Sequence, residues 1–408
     1  MQPLCPIGRV DAKLLGMKLK CQPEDFLVEE LPVIEPGRDG RFTFYRLSKT
    51  GIGTLEALEA IRHRWNLSTG QIAHGGLKDK HATTIQYLTI LGGPERSLHQ
   101  SNLELEPLGR MDRPYGPQGF RGNRFTIVMR DLTPTAATSA EKEAISLKEG
   151  IPNYFDDQRF GSLGKSGDFI AEAWVKGDQE RALYLALAEP NDHDRPDARA
   201  EKDILRATWG QWVEAKAQLQ RSHARSLVTY LVDHPTDFKG AFARLNKPLR
   251  SLYFSAYQSH LWNLLLARWI HTIARPEQIV EIDFAAARLP LFRHLEPEQI
   301  KRLTAEPIPL PSARDPLPTG PLGEIVVALL AERGLTWEAI RVRGLKDLFF
   351  SKGSRAGVMQ PGRLEVTRGD DELYKGKICL TLAFELPRGA YATLLVKRLT
   401  LLQGEPAA

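Results

Sequence analysis

Hydrophobic and polar positions alternate in short runs through the first third of the chain. Phe26–Val33 and Arg41–Leu47 are rich in β-branched, aromatic and leucine residues, with Pro36, Gly37 and Gly40 between them. That pattern predicts two strands around a turn. Thr54 stands before Leu55, Leu58, Ile61 and Trp65, whose spacing gives one apolar face to a helix capped by that threonine. Thr84–Leu91 and Phe125–Leu132 predict further strands. A second helix follows: Thr138 and Glu141 have capping-box spacing, Gly150 can close it, and Pro152 blocks its continuation.

From about residue 165 to 345 the period becomes helical, in Glu201–Leu219, Ser222–Val232, Ser251–Ala274 and Leu322–Arg333. Glu306–Pro321, with six prolines, is irregular. Strand patterns return in Arg363–Thr367 and Lys377–Glu385. A sheet-forming sequence split by a helical block predicts one domain inserted into another. The boundaries are 1–160 and 349–408 for the split domain and 161–348 for the insertion. Three serial domains are the alternative, but the last segment is small for a core of its own.

Composition narrows the class only a little. Of 408 residues, 42% are hydrophobic and 26% charged, as in a globular chain, and the net charge of +5 permits a polyanionic partner without requiring one. Cys5, Cys21 and Cys379 are far apart and form no CxxC pair, which fits a reducing compartment. The start, Met-Gln-Pro-Leu-Cys-Pro, does not resemble a signal peptide. The most apolar stretch, Ser251–Ala274, is interrupted by His260, Arg268 and His271. No membrane span and a cytoplasmic location are therefore expected.

Three segments could carry chemistry. In His74–Thr83, Gly75 and Gly76 precede Lys78, Asp79 and Lys80. A carboxylate flanked by lysines stays ionised and can attack an electrophilic carbon or hold an oxocarbenium ion. From spacing alone, though, such a triplet after two glycines is usually a solvated turn. Asn153–Gly161 packs Tyr154, Phe155 and Phe160 beside Gln158 and Arg159. That mixture suits single-stranded RNA, or a packed joint with Arg159 paired to a carboxylate. Arg110–Arg130 interleaves five arginines with Tyr115, Phe120 and Phe125, a footprint for phosphate contacts or a merely soluble loop. Gly164-Lys165-Ser166 ends like a P-loop, but Arg159 occupies the place of the required glycine. The histidines show no paired ligand spacing, so no metal is expected.

Taken together, these segments resemble the TruD family of tRNA pseudouridine synthases. Gly76-Leu77-Lys78-Asp79-Lys80-His81-Ala82 looks like its catalytic motif, and Asn153-Tyr154-Phe155 with Gln158-Arg159-Phe160-Gly161 like its second signature. Gln22–Phe26, Gly122–Phe125, Leu249-Arg250, Ser255–Ser259, Leu261–Asn263 and Leu386–Thr393 match in order. Asp156 departs from the glycine of many members.

The resemblance implies an α+β catalytic domain with a mainly antiparallel sheet, interrupted by a largely helical insertion. It implies action on a uridine in tRNA, position thirteen in the best-known bacterial branch, with Asp79 as catalytic carboxylate. Phe26 and Tyr391 would bracket the base or ribose, and Asn123 would hydrogen-bond its polar edges. Phe125 is either another contact or a strand residue. Lys20, Lys78 or Lys80 would neutralise Asp79 or a phosphate, and Arg159 would add a donor to the RNA. The isomerisation needs no cofactor, and a site complete in one chain makes a monomer the expectation. A noncatalytic RNA-binding protein is the main rival reading.

Overall fold

The computed structural model describes residues 17–68 and 70–400. Cys5 and the N-terminal segment lie outside the described residues. The chain divides into two compact units. One holds Tyr154–Gly357; the other is discontinuous and, among the described residues, holds 17–153 and 358–400.

The discontinuous unit is built on one sheet. Its strands are β1 (Lys18–Leu19), β2 (Phe26–Pro32), β3 (Phe42–Thr50), β4 (Ile72–His74), β5 (Thr83–Leu91), β6 (Leu98–Gln100), β7 (Leu103–Met111), β8 (Phe120–Leu132), β9 (Gly362–Asp370) and β10 (Ile378–Pro387). The order is β9-β10-β8-β2-β5-β3-β7-β6, with β1 also on β8 and β4 also on β5. Its described pairings are antiparallel apart from β2 with β5. The fold is thus mixed α+β with a large, mainly antiparallel sheet. The strand foreseen from Phe125 begins at Phe120, and β7, with its Leu-Glu alternation, adds a strand the reading passed over.

Helix α1 (Thr54–Trp65) is not capped by Thr54; Gly53 is the cap residue, and Thr54 sits at the first helical position. The buried face is set by Ala57 and Ile61, packed with Tyr45, Leu88 and Leu105, while Leu55 is exposed. Helix α2 (Pro134–Ser146) starts earlier than Thr138, because Thr133 caps it and the fixed φ of Pro134 suits the first turn. The Thr133 hydroxyl accepts from the Ala136 amide at 3.1 Å, and Thr138 lies inside the helix.

A buried charge cluster locks one end of β8. Arg130 meets Asp25 at 2.8 Å, Asp371 at 3.1 Å and Glu372 at 2.9 Å. It therefore ties the turn before β2 to the β9–β10 hairpin. Arg130 is a core residue of this unit, not a surface phosphate ligand.

In the other unit, short helices precede the 27-residue helix Lys247–Ile273. Glu201–Leu219, read as one helix, is two, Pro196–Ala207 and Trp212–Gln218, with Gly210 at φ +83° between them. The long helix presents polar groups to loops. Asn263 exchanges two 2.8 Å hydrogen bonds with the Phe155 backbone, and Arg250 meets Asp347 at 2.9 Å. None of the helices among the described residues is long and apolar enough to cross a membrane.

Candidate active site

Asp79 lies in the connection from β4 to β5, and its carboxylate is nearly buried. Its two oxygens have separate donors: Lys20 Nζ reaches Oδ2 at 2.7 Å, and the His81 amide donates to Oδ1 at 3.1 Å. Burial pushes the Asp79 pKa up, but the Lys20 charge and hydrogen bond, with the His81 amide, outweigh it and hold the carboxyl below its usual range. The opposite partner feels the same surroundings: burial pulls the Lys20 ammonium down, against the pull of Asp79.

Lys20 reaches Asp79 from an uncommon backbone. Its φ is +53°, a left-handed conformation that costs an L-residue about 1–2 kcal/mol. The residue follows β1, whose pairing with β8 puts Lys18 opposite the locked Arg130.

The flanking lysines do something other than their sequence position suggests. Lys78 turns away into the interior, 3.0 Å from Glu30 Oε1 and 2.7 Å from Asn123 Oδ1. Glu30 is fully buried, faces Asn123 across the β2–β8 register, and accepts from the Tyr115 hydroxyl at 3.2 Å. Lys80 is exposed and pairs with Glu56 of α1 at 3.0 Å. Neighbours in a turn point different ways, so the positive field on Asp79 comes from a residue far off in the chain.

Two further groups brace the Asp79 loop. The Thr54 hydroxyl accepts from the Lys78 amide at 2.8 Å and donates to Gln86 at 2.9 Å. Lys49, in β3, is buried and donates to the carbonyl oxygens of Asp79 at 2.8 Å and Ile52 at 2.7 Å. The reading from residue patterns missed both. A signal existed for Lys49, since it occupies an inward position of the β3 alternation where an apolar residue is expected.

Phe26 packs against the ammonium that pairs with the carboxylate. Lys20 Nζ lies 4.1 Å from the Phe26 ring centroid, Phe26 meets Phe125 edge-on at 6.3 Å, and Phe125 stacks on Phe384 at 5.5 Å. Phe125 is thus a core strand residue that supports Phe26. The Phe120 ring has Lys78 at 4.9 Å and Arg388 at 5.2 Å. Arg388 belongs to the turn after β10, which leads into half-buried Tyr391 at the start of helix Ala392–Thr400. Lys20, Phe26, Asp79 and Phe125 are thus linked by direct contacts, Lys78 and Asn123 form a second set with Glu30, and Lys80 pairs with Glu56 outside both.

Arg159 belongs to the Tyr154–Gly357 unit. Its Nε donates to Ser259 Oγ at 3.1 Å, and its guanidinium lies 5.7 Å from the Phe155 ring. Tyr154 is fully buried and donates to the Pro290 carbonyl at 2.9 Å. Within this unit Tyr154 is thus packed, and Arg159 donates to a hydroxyl where the packed-joint reading expects a carboxylate. In the arginine-rich stretch, Arg121 and Arg124 both reach Glu385 at 3.0 Å, and Arg110 pairs with Glu95. Among the described residues no group of three or more His, Cys, Asp and Glu is arranged to hold a metal.

Residues 9–399 match the family model of tRNA pseudouridine synthase D (TruD). A probable tRNA pseudouridine synthase D 1 of Methanococcus maripaludis is 31% identical over 395 residues, covering 94% of this chain and 99% of that protein. The tRNA pseudouridine synthase D of Aquifex aeolicus is 29% identical over 399 residues, covering 94% and 98%. A crystal structure of a Methanosarcina mazei protein, described as a tRNA pseudouridine synthase D, superposes with a TM-score of 0.74 at 26% identity, covering 95% of this chain and 94% of that one.

Proposed function

The chain belongs to the TruD family of tRNA pseudouridine synthases, isomerases of uridine in tRNA, and from that premise we propose that Asp79 is its catalytic carboxylate and uridine 13 its target. The observation that carries the first part is the Lys20–Asp79 contact of 2.7 Å, which keeps a nearly buried carboxylate ionised. An ionised group in that setting can attack C1′ of the ribose or take a proton from the sugar as the N1–C1′ bond breaks. The freed uracil turns and bonds to C1′ through C5; C5 gives up its proton and N1 gains one, so no external reagent is consumed and no cofactor is needed.

Each neighbouring group has a part in this account. The base must leave its stack, at a cost of a few kcal/mol. Aromatic contacts worth about 1–3 kcal/mol per base offset that. Phe26 and Tyr391 supply them, and Phe125 holds Phe26 in place from behind. Asn123 reads the polar edge of the uracil, with Lys78 fixing its amide oxygen so that its NH2 is the group presented. Lys80 and Arg159 contact RNA outside the reacting uridine. The discontinuous unit is the catalytic domain, and the Tyr154–Gly357 unit is the insertion characteristic of the family. The enzyme works as a monomer on tRNA in the cytoplasm.

Mapping pseudouridine in tRNA incubated with and without the protein tests the target. The reading expects one new pseudouridine at position 13. Modification only at other positions would contradict the assignment of uridine 13.

A further inference from the structure

A lysine buried in a sheet and bonded to backbone carbonyls alone needs a reason. Lys49 sits at an inward position of β3, opposite Thr84 of β5 and Leu103 of β7, both uncharged. Its ammonium donates to the carbonyl oxygens of Asp79, at 2.8 Å, and of Ile52, at 2.7 Å. Among the described residues its side chain has no carboxylate within ion-pair distance. A buried ammonium without an ion-pair partner is costly, and a methionine or leucine would fill the same inward position without that cost.

The two carbonyls show what the charge accomplishes. Ile52 lies just before α1, whose first residue, Thr54, already holds the Lys78 amide. Lys49 therefore cross-links the entrance of α1 to the peptide of Asp79 itself. Thr54 holds the loop at the amide of Lys78, one residue before Asp79, and Lys49 holds it at the carbonyl of Asp79. With the backbone held at both points, the Asp79 carboxylate has only its own two side-chain torsions left to place it between Lys20 and the His81 amide.

We propose that Lys49 is a positioning residue for the isomerisation: its charged ammonium, held on the Asp79 carbonyl, aims and electrostatically supports the Asp79 carboxylate, and loss of that proton disarms the site. The proposal rests on Asp79 being the catalytic group. The ionisable groups facing Lys49 are Asp79 and Lys78 from the loop and Glu56 from α1. Burial lowers the Lys49 pKa most, Asp79 and Glu56 oppose that, and Lys78 adds to it; together they bring it down to about 8. A neutral amine keeps two N–H donors and can still reach both carbonyls, but it no longer places a charge beside Asp79.

The test compares wild type, Lys49→Met and Asp79→Asn by single-turnover pseudouridine formation across pH 6 to 10, with tRNA affinity and thermal melting measured on the same samples. Expected for wild type is a rate that falls as pH rises through about 8. Lys49→Met should bind tRNA as wild type does, react about 100-fold more slowly, as for a small misplacement of a reacting group, and lack that alkaline fall. A purely structural lysine would lower the melting temperature without altering the shape of the pH profile. A Lys49→Met enzyme with the wild-type rate, or one that keeps the alkaline fall, overturns the proposal. So does a wild-type rate that stays flat between pH 7 and 9, a result that does not depend on the variant folding. An active Asp79→Asn would instead overturn the catalytic assignment of Asp79, which separates the two failures.

Discussion

Lys20 Nζ stands 2.7 Å from Asp79 Oδ2 although 59 residues separate the two in the chain. The contact depends on β1 lying beside β8, on the left-handed backbone of Lys20, and on the loop that Thr54 and Lys49 hold. It decides the protonation of Asp79, because burial alone would push that carboxyl up.

Replacing Lys20 with Met should therefore slow pseudouridine formation about tenfold or more near neutral pH, the scale of one lost charge-assisted hydrogen bond. The acid side of the pH–rate profile should also move to higher pH. Asp79 has a depressed folded-state pKa, so its ionised form is stabilised above the ordinary carboxylate range and that stabilisation is lost as pH falls. Without Lys20 the burial effect dominates and protonation begins earlier. A Lys20→Met profile with an unmoved acid limb would show that Lys20 does not control the carboxylate.

Arg130 makes a different kind of contribution. It is buried against Asp25 and Asp371, so Arg130→Met leaves two buried carboxylates without their cation. The expected loss of unfolding free energy is about 3–5 kcal/mol, read by urea denaturation. A loss under about 1 kcal/mol would mean that water or rearrangement satisfies those carboxylates. The stretch Arg110–Arg130, read as a footprint for phosphate contacts or a soluble loop, thus ends in a stability element.

How much of this was legible in the sequence differs from residue to residue. β2, β3, β5 and both late strands carry period-two patterns of β-branched and aromatic residues, and they were read within a few residues of their ends. Helix starts were less legible where cap chemistry was ambiguous: Thr54 and Thr138 both look like caps, while Gly53 and Thr133 hold those positions. Asp79 stood out only by likeness to a family motif, because adjacent lysines in a turn say nothing about direction. Lys78 goes to Glu30, Lys80 to Glu56, and Lys20 comes from elsewhere. Long-range placement of this kind is settled by strand register and not by local spacing. Charges at inward strand positions, Glu30 and Lys49, were the available clue and were passed over.

His260 provides a pH test in the other unit. It stacks on Phe169 at 4.6 Å inside the long helix's packing, and burial, with the Arg333 charge, brings its pKa down to about 3. The unfolded chain binds a proton near pH 6.5 and the folded one does not until about 3, so the unfolded state gains protons between those values and stability falls with pH. The loss should be about 2 kcal/mol between pH 6.5 and 5. Chemical denaturation at the two pH values checks it, and His260→Gln should flatten the difference. An equal slope in that variant would assign the acid sensitivity to other groups.

The most direct measurement for the whole account is pseudouridine formation by Asp79→Asn, with tRNA binding measured alongside. The substitution keeps the size of the side chain and removes its charge. The account predicts no detectable pseudouridine, with tRNA affinity near that of wild type. Pseudouridine formed by Asp79→Asn at the wild-type rate would contradict it.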